Sequence, residues 1–119
     1  MRKRSSRNSK PCEVRTNVHT ITLVRSETQY CWDPLKAGGN HQKHGIRFSD
    51  TLALFEDDQT LSREDPDAKG ERRFIATGLD SLGRCLTVVY TFRHHTIRLI
   101  SARRASRKEQ ETYYRGYRP

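Results

Sequence analysis

The sequence predicts an α+β domain: a small antiparallel sheet of about four strands, packed with two N-terminal helices and one C-terminal helix. The spacing of apolar residues is helical between Pro34 and Phe55 and becomes alternating after Thr60. A helix start, Ser106-Arg107-Lys108-Glu109, follows the last alternating segment. The chain has 119 residues, of which 33% are hydrophobic, so it can bury one small core.

The same patterns divide the chain into three parts. Residues 1–29 are predicted to form a basic extension that is disordered or loosely ordered, because they contain little that could pack in a core. Residues 30–115 form the ordered domain, and residues 116–119 form a tail. Within the extension, residues 18–24 alternate well enough for a short strand but fit an unstructured segment equally well.

Capping signals define the first two helices. Asp33 is placed as the N-cap and Pro34 as the first helical residue. The helix should reach about His44, where Gly45 ends it as a left-handed cap. A second short helix opens at Phe48, and the acidic run that follows it should terminate it.

Four strands are predicted in the second half of the chain: Thr60–Arg63, Arg73–Leu79, Cys85–Arg93 and Thr96–Ser101. They should form an antiparallel meander, because the links are short and the tightest is the dipeptide His94-His95. In the third strand, Leu86, Val88, Tyr90 and Phe92 share one face that suits a core. The opposite face carries Arg93 and is free for polar chemistry. The last helix begins at Ser106 with a capping box.

The charge of the chain points to a polyanionic partner. The formal net charge is +9, and residues 72–119 hold eleven basic and three acidic side chains. Such a basic surface favours nucleic acid. Residues 56–71 hold seven acidic and two basic side chains, and they fit either a solvated loop or a docking site for a basic partner.

The sequence favours a cytoplasmic protein. No apolar run approaches the roughly 20 residues that span a bilayer, so no contact with a membrane is expected. The three cysteines, Cys12, Cys31 and Cys85, are odd in number and far apart, and we expect reduced thiols. His41 and His44 lack the further ligands of a metal site. No metal and no cofactor are predicted.

Five motifs occur in order along the chain: Trp32-Asp33-Pro34-x-Lys36-Ala37, Asn40-x-x-Lys43-His44-Gly45-Ile46-x-Phe48, Glu71-x-Arg73-Phe74, Gly83-Arg84 and Arg98-x-Ile100-Ser101-Ala102-Arg103-Arg104-Ala105. Together they resemble the BrnT family of type II toxins over about residues 30–114. The resemblance implies a ribonuclease toxin with a fold similar to RelE, neutralised by a ribbon-helix-helix antitoxin of the BrnA type. Operator DNA would then be contacted only through the antitoxin.

Four arginines are the candidates for binding phosphate and stabilising a transition state: Arg73, Arg93, Arg98 and Arg103. The guanidinium group offers several donors in a rigid fork that matches phosphate oxygens. Strict alternation of side chains from Thr96 does not decide which face of the sheet Arg98 lies on. The structural alternative is that some of these arginines simply pair with the acidic loop.

Candidates for proton transfer are Glu71, which precedes Arg73, and His44, which could equally be a favourable cap at a helix C-terminus. His94 and His95 suit a turn better than catalysis. The remaining candidates for RNA contact are Lys36, Lys43, Arg84 and Tyr113.

The chemistry expected of such a protein is metal-independent RNA cleavage that inhibits translation and growth. The RNA 2′-hydroxyl attacks the adjacent phosphate, and cations stabilise the added negative charge. The acidic residues concentrate in one loop while the sheet presents arginines, so arginine takes the cationic role.

Two alternatives stay open. One is a non-catalytic module that binds RNA or the ribosome. The other is a degenerate toxin that acts only as an antitoxin-binding co-repressor, which the dipeptide Gly38-Gly39 and the N-terminal arm keep in consideration.

Overall fold

The structure, a computed structural model, describes residues 20–116. Their elements are β1 (Ile21–Arg25), β2 (Thr28–Trp32), α1 (Pro34–His44), a 3₁₀ helix (Phe48–Glu56), β3 (Leu61–Glu64), β4 (Phe74–Leu79), β5 (Cys85–Arg93), β6 (Thr96–Arg104) and α2 (Arg107–Arg115).

The strands form one sheet in the order β1-β2-β6-β5-β4-β3. Every neighbouring pair is antiparallel except β2 and β6, which are parallel. The α+β class is confirmed, but the expected antiparallel sheet of about four strands, packed with two N-terminal helices and one C-terminal helix, is wrong. The described residues hold six strands in a mixed sheet, and the second helical segment is a 3₁₀ helix. The parallel pair could not be predicted because its strands are far apart in sequence, where no local pattern links them.

A hairpin of β1 and β2 crosses the boundary predicted at residue 30. Its two-residue turn is Ser26-Glu27, with φ values of 51° and 67°. Such turns usually carry glycine or asparagine, so no hairpin signal is visible in this part of the sequence. Residues 21–29, predicted to lie in the extension, therefore belong to the sheet. The rest of the predicted extension, residues 1–19, lies outside the described residues, as do residues 117–119 of the tail.

Helix α1 has the predicted limits. The Asp33 side chain accepts a hydrogen bond from the backbone N–H of Leu35 at 2.8 Å, and Gly45 has a φ of 73°. The buried side chain of Asn40 takes the place of a strand beside β6: its Nδ2 donates to the carbonyl of Ala102 at 2.9 Å, and its Oδ1 accepts from the N–H of Ala102 at 3.0 Å. Asn40 thereby satisfies backbone groups of β6 beyond the last residue paired with β2.

The core lies on one face of the sheet, beneath α1 and the 3₁₀ helix. Tyr30 is fully buried and packs on Phe55 with ring centroids 5.7 Å apart. Phe55 also meets Tyr90 edge to face at 5.0 Å. Aromatic pairs of this kind contribute about 0.5–1.5 kcal/mol each beyond area burial, so these rings fix β2 and β5 against the 3₁₀ helix.

Helix α2 packs against the opposite face of the sheet. Its start is the predicted capping box: Ser106 Oγ accepts from the N–H of Glu109 at 3.2 Å, and Glu109 Oε1 accepts from the N–H of Ser106 at 2.7 Å. Tyr113, 1% exposed, is the buried residue of this helix.

Two further findings concern membrane-spanning helices and the state of the cysteines. Within residues 20–116, no helix has the length and apolar character needed to cross a membrane. Cys31 is disulfide-bonded, whereas Cys85 is a free thiol. The prediction of reduced cysteines is therefore wrong for Cys31 and confirmed for Cys85, and Cys12 lies outside the described residues.

Candidate functional site

A β-bulge in β6 decides which way its arginines face. The register pairs Thr91 with Arg98 and Thr87 with Arg103, but it is shifted between Val89 and Tyr90. Ile100 is the extra residue of β6 and has no partner on β5. Arg98 and Arg103 are five residues apart, so strict alternation would put them on opposite faces of the sheet. The bulge puts both on the face that lies opposite the core, which we call the arginine face.

Arg73 joins this face at the start of β4. The register pairs Phe74 with Tyr90, which places Arg73 next to Thr91. The hydroxyl of Thr91 donates to the carbonyl of Arg72 at 2.6 Å and fixes this junction. Adjacent strands lie about 4.8 Å apart, so the backbones of Arg73 and Arg98, two strands apart, are separated by about 10 Å. Both side chains are long enough to reach one anion between them.

Among the described residues, neither of these two arginines is neutralised by an acidic side chain. The Nε of Arg73 is buried and has no hydrogen-bond partner there. The Nη1 of Arg98 lies 3.7 Å from the sulfur of Cys31. Burial, and then the charge of Arg93, lower the pKa of Arg98, whereas Asp33 and Glu71 raise it. Burial is therefore the main cause of the lowered pKa of Arg98, and the neighbouring charge of Arg93 adds to it.

The charges of Asp33 and Glu71 both act on Arg98, and among the described residues the carboxylate that forms an ion pair within this group is that of Glu71. Its Oε2 lies 3.2 Å from the Nε of Arg93, and the two side chains are 37% and 45% exposed. The structure therefore brings together four of the predicted site residues, Glu71, Arg73, Arg93 and Arg98, which we call the arginine cluster.

Arg103 lies on the same face but has another set of contacts. Its Nη1 and Nη2 donate to the two carboxylate oxygens of Glu109 at 2.9 and 3.0 Å. Thr87 also donates to Glu109, at 2.9 Å. The Arg103 guanidinium is the main reason that the pKa of Glu109 falls to about 2. Arg103 therefore anchors the start of α2 to the sheet. Both of its Nη atoms are already bonded to the carboxylate of Glu109.

The sequence analysis did not predict the Arg103–Glu109 pair. The signal that could have revealed it is an arginine three residues before a capping serine with a glutamate three residues after it, since both then meet at one helix start.

The other predicted site residues are not in the cluster. Arg84 binds Asp80 through Nη2 at 2.7 Å and the carbonyl of Gly45 through Nη1 at 3.3 Å, so it joins the β4–β5 turn to the end of α1. Tyr113 is buried beneath α2. Within residues 20–116, Lys36, Lys43 and His44 make no hydrogen bond or ion pair with the arginine cluster. All three lie on α1, which packs against the core through Ala37.

The turn after Arg93 is strained. His94 and His95 form a two-residue link between β5 and β6, with φ values of 48° and 68°. Histidine adopts this conformation more readily than most residues other than glycine, at a cost of about 1–2 kcal/mol each. The predicted turn role of both histidines is confirmed. Because Arg93 directly precedes this rigid turn, its position at the sheet end is closely fixed.

The chemistry of the cluster is cationic. The cluster holds three guanidinium groups and one carboxylate, and a second carboxylate, that of Asp33, is near enough to act on Arg98. This set suits a phosphate group far better than a divalent cation, which prefers several oxygen ligands. In the part of the chain that the structure describes, no group of three or more histidine, cysteine, aspartate or glutamate side chains could hold a metal ion.

Comparisons with known proteins show the family to which the chain belongs. The family model described as the ribonuclease toxin BrnT of type II toxin-antitoxin systems matches residues 32–109. A crystal structure of the Brucella abortus ribonuclease toxin BrnT is similar at 27% sequence identity and a TM-score of 0.50, covering 64% of this chain and 94% of that one. A search of curated proteins finds no match. The matched segment contains the whole arginine cluster and most of the chain, and the protein therefore belongs to the BrnT family of ribonuclease toxins of type II toxin-antitoxin systems.

Proposed function

We propose that this toxin is a metal-independent endoribonuclease whose reaction takes place at the arginine cluster. One observation carries the proposal: Arg73 and Arg98 flank Thr91 on a single face, with Arg93 and Glu71 beside them. Three cations held on a sheet can bind a phosphate of RNA and stabilise the negative charge that it gains during cleavage.

The proposed reaction uses the RNA as its own nucleophile. Arg73 and Arg98 bind the non-bridging oxygens of the scissile phosphate. Glu71, held in place by Arg93, accepts the proton of the 2′-hydroxyl as this oxygen attacks phosphorus, and the bond to the 5′-oxygen breaks as that oxygen takes up a proton from water. The product ends are a 2′,3′-cyclic phosphate and a 5′-hydroxyl. His44, a candidate acid or base from the sequence, makes no contact with the cluster and is given no step.

The test is cleavage of single-stranded RNA by the purified protein in EDTA. Arg73→Ala and Arg98→Ala should each lower the cleavage rate by about 10²- to 10³-fold, the usual effect of removing a donor to a developing charge. Arg104→Ala is the matched control, because Arg104 pairs with Leu86 and faces away from the cluster. Loss of wild-type cleavage in EDTA would refute the metal-independent mechanism, and cleavage of an all-deoxy strand would refute attack by the 2′-hydroxyl.

The ion pair of Glu71 and Arg93 also supports a second candidate, a module that binds RNA without cutting it. The Oε2 atom of Glu71 is already occupied by the Nε of Arg93 at 3.2 Å and is then not free to accept a proton from RNA. This candidate predicts salt-sensitive RNA binding with RNA that stays intact after long incubation. Growth arrest on expression would exclude it.

Membership of a type II system implies an antitoxin partner. We further propose that this partner is a ribbon-helix-helix protein of the BrnA type, that it covers the arginine face, and that operator DNA is contacted only through it. We propose that the substrate is RNA in the cytoplasm. Comparing the cleavage of naked RNA with the cleavage of RNA on translating ribosomes would show whether the ribosome is needed. Complex formation should weaken when Arg93 and Arg98 are replaced together by alanine, and unchanged affinity would place the antitoxin elsewhere.

A further inference from the structure

The arginine face continues into a groove between α2 and the outer strands β3 and β4. Its volume is about 520 Å³, within the range of about 300–1,000 Å³ typical of ligand sites. The register pairs Leu61 with Thr77 and Arg63 with Ile75, which puts these four side chains on one face as a floor. Thr112 and Lys108, one helical turn apart, form the facing wall.

The rim of this groove is positively charged. Arg63 and Lys108 are exposed, and neither forms an ion pair within residues 20–116. The acidic residue in the wall, Glu109, is already neutralised by Arg103. The groove therefore offers two uncommitted cations above a floor that is apolar at Leu61 and Ile75.

The groove is also continuous with the arginine cluster. Ile75 follows Arg73 by two residues on the same face of β4, a distance of about 7 Å along the strand. One nucleotide of an extended RNA strand spans such a distance. A strand with a phosphate at Arg73 and Arg98 would thus enter the groove with its next nucleotide.

We infer that this groove is a nucleotide subsite for single-stranded RNA, adjacent to the scissile phosphate and resting on the proposed function of the arginine cluster. The base lies against Leu61 and Ile75, and the following phosphate binds Arg63 and Lys108. An apolar floor reads no base-specific hydrogen bonds, so the subsite tolerates several bases. The rim favours RNA over an acidic protein segment because its two cations, Arg63 on β3 and Lys108 on α2, lie on either side of a floor that is apolar at Leu61 and Ile75.

The test measures binding of a fluorescein-labelled 2′-O-methyl hexauridylate, which lacks the attacking hydroxyl and cannot be cleaved. The variant Arg63→Ala/Lys108→Ala should bind it about tenfold more weakly than the wild type, and the log-log salt slope should fall by about 0.7 for each phosphate that the variant no longer neutralises. The matched control is Arg104→Ala/Arg107→Ala, which removes the same charge from two exposed residues outside the groove. Its affinity should change less than about twofold, as expected of charges that do not touch a phosphate.

An equal decrease in affinity in the two double variants would overturn the subsite. So would a groove variant that keeps its RNA affinity but no longer binds the antitoxin, because the groove would then be a protein-docking surface.

The proposed function is judged separately, by wild-type cleavage of RNA. If RNA stays intact while the groove variant alone binds hexauridylate more weakly, catalysis is refuted and the subsite stands. If RNA is cleaved and the two variants bind alike, the subsite is refuted and catalysis stands.

Discussion

Two glutamate–arginine pairs share the arginine face but differ in what surrounds them. The Glu71–Arg93 pair is open to solvent, and its two side chains meet at a distance of 3.2 Å. Glu109 instead accepts bonds from Arg103, from Thr87 and from the N–H of Ser106. Exposed ion pairs contribute about 0–1 kcal/mol, whereas a carboxylate with several donors stabilises more. Under the proposed function, the first pair is therefore free to change during cleavage, whereas the second holds the structure.

Replacing Glu109 by glutamine should lower the free energy of unfolding at pH 7 by about 1–2 kcal/mol, because the charged acceptor of the network is removed. The folded-state pKa of Glu109 is about 2 against an ordinary 4.5, so the stabilisation is complete above pH 4.5 and declines as the pH falls toward 2. Urea denaturation at pH 7 and pH 3 measures both effects. The difference between wild type and variant should shrink at pH 3, and a constant difference would contradict the assignment.

Arg84 is a structural residue by the same reasoning. Its partner Asp80 has a side chain that is fully buried. Arg84→Ala leaves that carboxylate with backbone donors from Leu82 and residue 84 but no countercharge. We expect the free energy of unfolding to fall by about 2–3 kcal/mol in thermal or urea denaturation, with RNA affinity per folded molecule unchanged. A stable variant that binds RNA poorly would restore the RNA-contact role predicted from the sequence.

At the level of elements, the bulge in β6 assembles the arginine face. Deleting Ile100 should return β6 to strict alternation, so that either Arg98 or Arg103 turns to the other face and apolar residues leave the core. We expect the melting temperature to fall by more than about 5 °C and cleavage to be abolished. Ile100→Ala is the control, because it keeps the residue count, and it should retain cleavage. If the two variants had the same melting temperature and the same cleavage rate, the bulge would not determine which face of the sheet Arg98 and Arg103 lie on.

The elements that could be predicted correctly from the sequence are those whose ends are marked by residues close together in the chain. Asp33 and Gly45 mark both ends of α1, and the Ser106 box marks the start of α2, because caps are decided within a few residues. The bulge and the parallel pairing of β2 with β6 depend on residues distant in sequence, so periodicity could not show them. The same limit applies to the candidate site. Strand alternation predicted which face of the sheet Arg93 lies on, but it could not predict the face of Arg98, because the bulge interrupts the alternation in β6. The order of the motifs could not show that the basic residues of α1 lie on the core side of the sheet, away from the arginine cluster.

For the whole molecule, the hairpin of β1 and β2 completes one side of the sheet. Gln29 accepts a hydrogen bond from Thr96 at 2.9 Å, Arg25 pairs with Glu56 at 2.9 Å, and Tyr30 is fully buried. Only the last residue of this hairpin, Trp32, lies within the segment that matches the family. The sheet of this chain therefore extends beyond the segment that the family model matches.

Truncation tests this dependence. A chain that begins at residue 30 lacks β1 and the first two residues of β2, so it loses the pairing of Gln29 with Thr96 and the strand that pairs with Tyr30. Its melting temperature should fall by at least about 8 °C, which corresponds to a few kcal/mol in a domain of this size. A chain that begins at residue 20 keeps every described strand and is the matched control. Equal melting temperatures would show that the hairpin adds nothing to stability.

The pairing of β2 with β6 also affects the order in which the protein becomes functional. Arg98 meets Cys31 across 67 residues of sequence, and contacts of such separation form late in folding. During synthesis from the N-terminus, β2 leaves the ribosome well before β6, so it waits for its partner. The arginine cluster cannot assemble until the last strand has emerged. Under the proposed function, a nascent chain therefore has no complete phosphate site until its synthesis is nearly finished.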